Sequence, residues 1–280
     1  TNDQNFNIEI QVIKNPKVEN ISIKKAKINK VAKTLRSFTG IFNSVLFSPQ
    51  DIQLITGSPS ERRKYMDDLI SQVDPEYKKA ISEYTKAVRQ RNKLLEKINK
   101  GFGGQNQIGF YTDIILKKGK MIQEKRERMF KKINPVISEN GKILGKDRTK
   151  VKILYKKNEI NEERLEDYRN REIAAMTTLI GPHRDDFEII FDGHDVSNFG
   201  SRGEQRSCVL ALKIAEIDFI ENSKNDTPVL LLDDIFSELD KKHQEAVLKT
   251  IKGKQTIITN TSTPRFLNAK DLKTINLPIE

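Results

Sequence analysis

Cysteine is almost absent from this chain. A single one, Cys208, stands among 280 residues, which excludes a disulfide framework or a cysteine-built metal site and leaves a buried structural thiol in a reducing cytoplasm as the expectation. No apolar run approaches membrane-spanning length, and no signal peptide is visible after Thr1, so the expected location is cytoplasmic, with no membrane partner. The absence of an initiator methionine suggests a trimmed piece of a longer protein. Of three histidines, His183 stands with Asp185 and Asp186 in a loop that offers the residue types of a metal or nuclease site, but that cluster lacks the spaced ligands metal catalysis needs. His194 and His243 are expected at the surface. Apolar heptads do not persist far enough for a long coiled-coil arm. The phosphate loop G-x-x-x-x-G-K-[ST] is missing too: residues Gly141 to Arg148 imitate it with one spacer too few and no hydroxyl after the lysine.

What the chain has in excess is positive charge, formally +11, and it is concentrated. Residues 61–150 carry 23 Lys and Arg against 12 Asp and Glu, while the rest balances at 27 of each. One reading is a solvated, lysine-rich helical face. The other is a lobe that follows a nucleic-acid backbone by neutralising phosphates, sensitive to salt and blind to sequence. The length leaves room for two lobes.

Phe6, Ile8, Ile10 and Val12 alternate with polar residues, and Ile21 and Ile23 begin a second such run, with Asn29-Lys30 at a tight turn. The first 30 residues therefore read as antiparallel strands with one wet face. Val45 to Phe47 reads as a strand leading into Ser48-Pro49-Gln50-Asp51. Ser58-Pro59-Ser60-Glu61 is a capping box with proline in the first turn, and Asp74-Pro75-Glu76 opens a second helix running to Asn99. Arg62, Arg63 and Lys64 sit badly against a helix dipole, which points to an external anion, a phosphate or a carboxylate on another lobe. In the second helix Tyr77, Ile81, Tyr84, Val88, Leu94, Leu95 and Ile98 form the apolar stripe, leaving Lys78, Lys79, Lys86, Arg89, Arg91, Lys93 and Lys97 outside. A third helix is predicted over 111–133, uncomfortable at Gly119 and ended or kinked by Pro135, followed by a polar link over 141–150. Further predictions are a strand over 151–155, a helix over 162–175, a hairpin through Asp192-Gly193, and a helix over 207–220. Gly181 to Asp186 reads as a loop at the lobe junction, from which Arg184 faces DNA or a partner subunit.

The chemistry centres on Pro228 to Asp240. Val229 to Leu232 is a short apolar run without polar alternation, as in a strand buried on both faces of a parallel sheet, and it ends in Asp233 and Asp234. Ligands of open α/β sheets bind at such carboxyl ends. The pair suits a nucleoside triphosphatase: Asp233 holding Mg²⁺, directly or through water, and Asp234 positioning or deprotonating the attacking water. A solvated turn with an N-cap aspartate is the alternative. Upstream, Ser201-Arg202-Gly203-Glu204-Gln205-Arg206 opens a helix whose free N–H groups and dipole form a phosphate cradle. Downstream stands Ser237-Glu238-Leu239-Asp240.

This ordered set resembles the signature motif, Walker B strand and D-loop of an ABC-type ATPase head. With Phe47 to Asp51, Gly57 to Arg63 and Thr178 to Phe187, it resembles the RecF family of DNA replication and repair proteins, in order from about Val45 to Thr261. The resemblance implies an α/β fold, an ABC-type head of P-loop NTPase-like mixed sheet and helices with a mostly helical second lobe. It divides the chain into a β-rich part of the ATPase lobe (1–57), a basic helical lobe (58–150) and the signature and Walker B half (151–280). It also implies ATP and Mg²⁺ as cofactors and an ATP-dependent homodimer in which Ser201, Gly203 and Gln205 contact the γ-phosphate held by the other copy, with Ser237 and Asp240 in the D-loop. The implied partners are single- and double-stranded DNA at gaps or ends, and recombination mediators that support recombinase loading and SOS induction. Arg62, Arg63, Arg89, Arg91 and Arg184 are the candidate DNA contacts, and Gln50 or Gln53 the candidate glutamine sensor of the nucleotide.

In the family the phosphate loop precedes everything present here, so these residues alone are expected to bind ATP poorly; micromolar affinity by calorimetry would mean the site is misplaced. Asp234 stands where transporters have glutamate, and Thr261, Ser262 and Thr263 follow the last strand where they have histidine. Both departures favour slow, DNA-dependent hydrolysis in the natural-length protein, below about 1 s⁻¹. Two rivals are an ATPase head linked to a nuclease and the head of an SMC-like chromosome structural protein.

Overall fold

In the computed structural model, residues 6–14, 22–144 and 150–260 are described, with 273 and 275 besides. Ile21, residues 145–149 of the predicted polar link and Thr261 to Thr263 lie outside them.

The alternating N-terminal runs form an antiparallel meander, β1 (Ile8–Lys14), β2 (Ser22–Ile28) and β3 (Val31–Lys33). Asn29 and Lys30 both take positive φ at the tight turn between β2 and β3. Next, β4 (Ser44–Phe47) enters a 3₁₀ turn, Pro49–Ile52, and then α1 (Gln53–Thr56) and α2 (Pro59–Val73). Helix α3 (Pro75–Asn99) is capped by Asp74, whose side chain accepts from Tyr77 N–H.

Helix α4 (Gln105–Leu144) is longer than predicted, 40 residues, and does not end at Pro135. A proline ring and a missing donor normally break a helix. Here packing overrides that cost: Ile133 and Ile137 are buried on either side. The amide of Asn134 also bonds β5 (Val151–Lys156) in both directions, to Ile153 O at 3.0 Å and from Ile153 N at 2.7 Å. Gly119 has its own reason, since a Cβ there would meet Ile160 and Pro182 at 3.0–3.3 Å. It lets α4 approach the Gly181–Pro182 loop.

The predicted helix over 162–175 is two, α5 (Glu162–Asp167) and α6 (Arg169–Ala175). Strand β6 (Asp186–Phe191) pairs antiparallel with β5 and turns into β7 (His194–Asp195). After α7 (Val196–Phe199) comes α8 (Arg202–Lys224), the central helix, with eleven buried residues. Then follow β8 (Val229–Asp233), α9 (Lys241–Ile251) and β9 (Thr256–Thr259). Strands β4, β8 and β9 form a parallel sheet with β8 in the middle, where Leu230 and Leu232 are buried. Among the described residues no helix is long and apolar enough to cross a membrane.

Candidate functional site

The parallel register decides what stands beside the acidic strand end. Phe47 is opposite Leu232, so Ser48 leaves β4 next to Asp233; Asp233 itself is opposite Thr259. Asp233 is exposed, and its Oδ1 accepts from Thr259 Oγ1 at 2.6 Å. Asp234 takes the left-handed conformation (φ 47°, ψ 28°), which aspartate tolerates better than most residues. Its N–H donates to Thr259 O at 3.1 Å and its carbonyl accepts from Ser237 Oγ at 2.8 Å. Asp234 Oδ1 is buried and has no hydrogen-bond partner. A buried carboxylate oxygen in that state is costly unless a ligand or water completes it.

The glycine-started helix is built as its sequence dictates. Ser201 caps α8 reciprocally with Glu204: Glu204 N–H donates to Ser201 Oγ at 3.3 Å and Ser201 N–H to Glu204 Oε2 at 2.8 Å. Gly203 is exposed, and a Cβ there would have nothing within 4 Å. Neither strain nor crowding inside this copy explains a glycine. The Gln205 amide is engaged within the chain, donating to Val196 O at 3.2 Å and tying α8 to α7.

The loop after β4 is held from below. Ser48 N–H donates to Asp51 Oδ2 at 2.8 Å, and burial pushes the Asp51 carboxyl up while Lys213 opposes the shift. Lys213 is buried in a 2.6 Å pair with Glu216 and lies under the rings of Phe47 and Tyr65. A cavity lined by Ser48, Asp51, Arg206, Lys213, Glu238 and Leu239 joins this loop, α8 and the D-loop. Gln50 and Gln53 are both exposed. The open oxygen of Asp234, the exposed Asp233 and the uncrowded first turn of α8 fit a magnesium-bound triphosphate.

The candidate DNA contacts divide. Arg91 is buried: it pairs with Glu172 at 2.6 Å and donates to Thr112 and Thr178. Its placement on the outer face is therefore corrected, since Tyr84, Arg91 and Leu95 share one side of α3 at helical spacing. Arg62 makes a bidentate pair with Asp186 (2.6 and 2.9 Å) and a third bond to Gly57 O. The anion its position demanded is thus a carboxylate of this chain. Arg63 donates to Asp185 O at 3.1 Å and is half-buried; its guanidinium is held below its usual range by burial. Arg184 is exposed but directs two N–H groups to Thr178 O. Arg89 is exposed and lines an open groove with Lys78, Lys79 and Lys86.

The 181–186 loop is structural. Gly181 has φ 123°, and a Cβ would come within 2.4 Å of Tyr84 Oη. His183 Nε2 meets Thr178 O at 2.9 Å and Nδ1 meets Tyr84 Oη at 2.7 Å. A carbonyl only accepts, so Nε2 carries the hydrogen and Nδ1 receives the tyrosine's. Burial lowers the His183 pKa to about 4. Among the described residues no cluster of three or more His, Cys, Asp or Glu is placed to share a metal ion. Cys208 is buried as expected, and burial pushes its thiol up to about 12.

His243 corrects another expectation. It is not at the surface but only 6% exposed, 2.7 Å from both Asp240 and Ser207. Its sequence signal was an aspartate N-cap with histidine three residues on. Arg126, missed in the sequence, is wholly buried on α4.

No family model matches the chain. It is 38% identical over 266 residues to the DNA replication and repair protein RecF of Clostridium acetobutylicum, covering 91% of this chain and 70% of that one. It is 36% identical over 270 residues to the protein of the same name from Lachnospira eligens, covering 94% and 72%. The fold matches a solved structure of the recombination mediator protein RecF-ATPrS in the RecFOR pathway, with TM-score 0.80 at 31% identity over 91% of this chain and 71% of that one. The RecF-ATP structure gives 0.79 at 32% identity, covering 88% and 69%. Extended identity and a shared fold thus agree with the motifs that first suggested it: the chain belongs to the RecF family of DNA replication and repair proteins.

Proposed function

We propose that this chain carries the signature and Walker B half of a composite ATP site in a DNA replication and repair ATPase of the RecFOR pathway. The observation that carries the reading is the buried, unpartnered Oδ1 of Asp234 at the end of the central parallel strand. Asp233 would hold Mg²⁺, directly or through water, and Asp234 would orient or deprotonate the attacking water. Bound to the triphosphate, magnesium would neutralise charge on its outer oxygens. Ser201 and Gly203 meet the γ-phosphate held by a second copy, and Gln205 joins them only by exchanging its bond to Val196. Ser237 and Asp240 shape the facing D-loop. The relative solved as RecF-ATP supports the choice of ligand.

Residues 58–150 form the basic lobe in this reading, between the β-rich part (1–57) and the signature half (151–280). Lys78, Lys79, Lys86 and Arg89 follow the DNA backbone along their groove, while Arg63 and Arg184 adjust the lobe junction. ATP-driven pairing closes a clamp on duplex or single-stranded DNA at gaps or ends, where mediator proteins help load the recombinase and permit SOS induction. Hydrolysis is a slow timer, below about 1 s⁻¹, in a cytoplasmic protein.

The test is DNA binding by the natural-length protein with and without ATP, alongside Asp234→Asn. The wild type should bind more tightly with ATP, and the variant should stay bound after ATP because hydrolysis no longer reopens the pair. Binding indifferent to ATP in both proteins would sink the reading. Nuclease activity or compaction of long DNA would favour the rival classes instead.

A further inference from the structure

The D-loop and the signature helix are joined by a line of hydrogen-bonding groups inside one copy. Asp240 caps α9, accepting from His243 N–H at 3.0 Å, and its Oδ1 also lies 2.7 Å from the ring Nδ1. On the other side of the ring, Nε2 lies 2.7 Å from Ser207 Oγ, which is 3.0 Å from the carbonyl oxygen of Gly203. Ser207 and His243 are each only 6% exposed. The order of groups imitates a hydrolytic triad, yet Ser207 is sealed within α8 against its own backbone, where no substrate reaches it.

We propose that His243 is a positioning residue that carries the state of Asp240 in the D-loop to the signature turn at Gly203. The device follows from counting protons. A carboxylate only accepts, so Nδ1 holds a ring hydrogen toward Asp240, and in the relay Nε2 is bare and serves as an acceptor. Ser207 has one hydroxyl hydrogen and two acceptors in reach, Nε2 and the Gly203 carbonyl, and can serve only one at a time. While Asp240 holds the ring, the hydrogen goes to Nε2. When Asp240 is drawn to another partner the ring is released, and the hydroxyl turns to the Gly203 carbonyl, in the turn offered to the γ-phosphate. A bistable rotor of this kind lets one event bias the other.

This inference rests on the composite-pocket reading, which places Asp240 and Gly203 where two copies meet. The first measurement is the ring's ¹⁵N spectrum in the protein without nucleotide. Hydrogen on Nδ1 with Nε2 bare supports the relay, and the opposite tautomer overturns it. The second is ATP-dependent self-association of the natural-length protein carrying His243→Asn, Ser207→Ala, or both. His243→Asn retains an N–H toward Asp240 but offers Ser207 no acceptor. Each single change should weaken ATP-driven association about 10-fold, and the pair no further, because both break one line. Effects that multiply, or variants that respond to ATP as the wild type does, overturn the relay alone. A wild type indifferent to ATP would overturn the composite pocket and the relay with it.

Discussion

The junction beneath the 181–186 loop and the tip of β8 both concentrate charge, and they treat it in opposite ways. At the junction Arg126 and Asp185 are each fully buried and paired at 2.8 Å. Arg126 also reaches Asp67, Tyr77 Oη and Pro182 O, while Asp185 accepts from Gln123, Asn158 N–H and Tyr155. Burying such charges is tolerable only when every lone pair and proton is matched. At the tip, Asp234 keeps a buried oxygen unmatched, and in the first turn of α8 Gly203 keeps open space where a side chain would cost nothing. The charges of this junction are satisfied within the chain; Asp234 and Gly203 leave positions for something outside it.

That contrast breaks or sharpens first at Arg126. Arg126→Met strands Asp185 and should lower unfolding stability by about 3–5 kcal/mol in urea titration. A loss under about 1 kcal/mol would show that the junction does not anchor the lobes and would erase the distinction from the tip. The next largest effect belongs to His183, neutral in the fold with its pKa lowered from 6.5 to about 4. The unfolded chain takes up a proton below about pH 6.5, whereas the folded ring resists until about 4. Stability should therefore fall as pH drops through that window, by on the order of 3 kcal/mol, and level off below it. His183→Gln should flatten the slope in stability measured across those pH values. A slope unchanged in the variant would assign the acid sensitivity to other groups.

The sequence made one region far more legible than the other. The apolar run of β8, the helix starts at Ser201 and Asp74 and the turn at Asn29-Lys30 are local signals, and each appears where local chemistry puts it, whereas α2 starts after Ser58 without the side-chain bond of the predicted capping box. The long-range pairings were not local. Charge pattern places Arg91 on the outer face and says nothing of Arg126, although both fall on apolar stripes with Tyr84 and Leu95, or Ile122 and Ile133. The missing N–H of Pro135 predicts a break or kink, and nothing local shows that Asn134 bonds β5. The local signal at His243 is its place three residues after the N-cap Asp240, and only folding brings Ser207 to it from 36 residues away. Arg62 was half legible: its place near a helix N-terminus called for an anion, and the fold supplies Asp186.

The smallest expected change in stability is the sharpest test of the tip. Gly203 has helical geometry in the first turn of α8, lies in the open, and meets nothing when a Cβ is added. By propensity alone Gly203→Ala should stabilise the chain by about 0.5 kcal/mol, visible as a small rise in the urea midpoint. If the open space is where a phosphate held by a second copy approaches, the same methyl group should weaken ATP-driven association by about 10-fold or more. Stability and assembly would then move in opposite directions on one substitution, which a merely structural glycine cannot do. A variant that is firmer and still pairs normally would mean the turn faces only solvent, and the acidic tip would lose the partner its geometry implies.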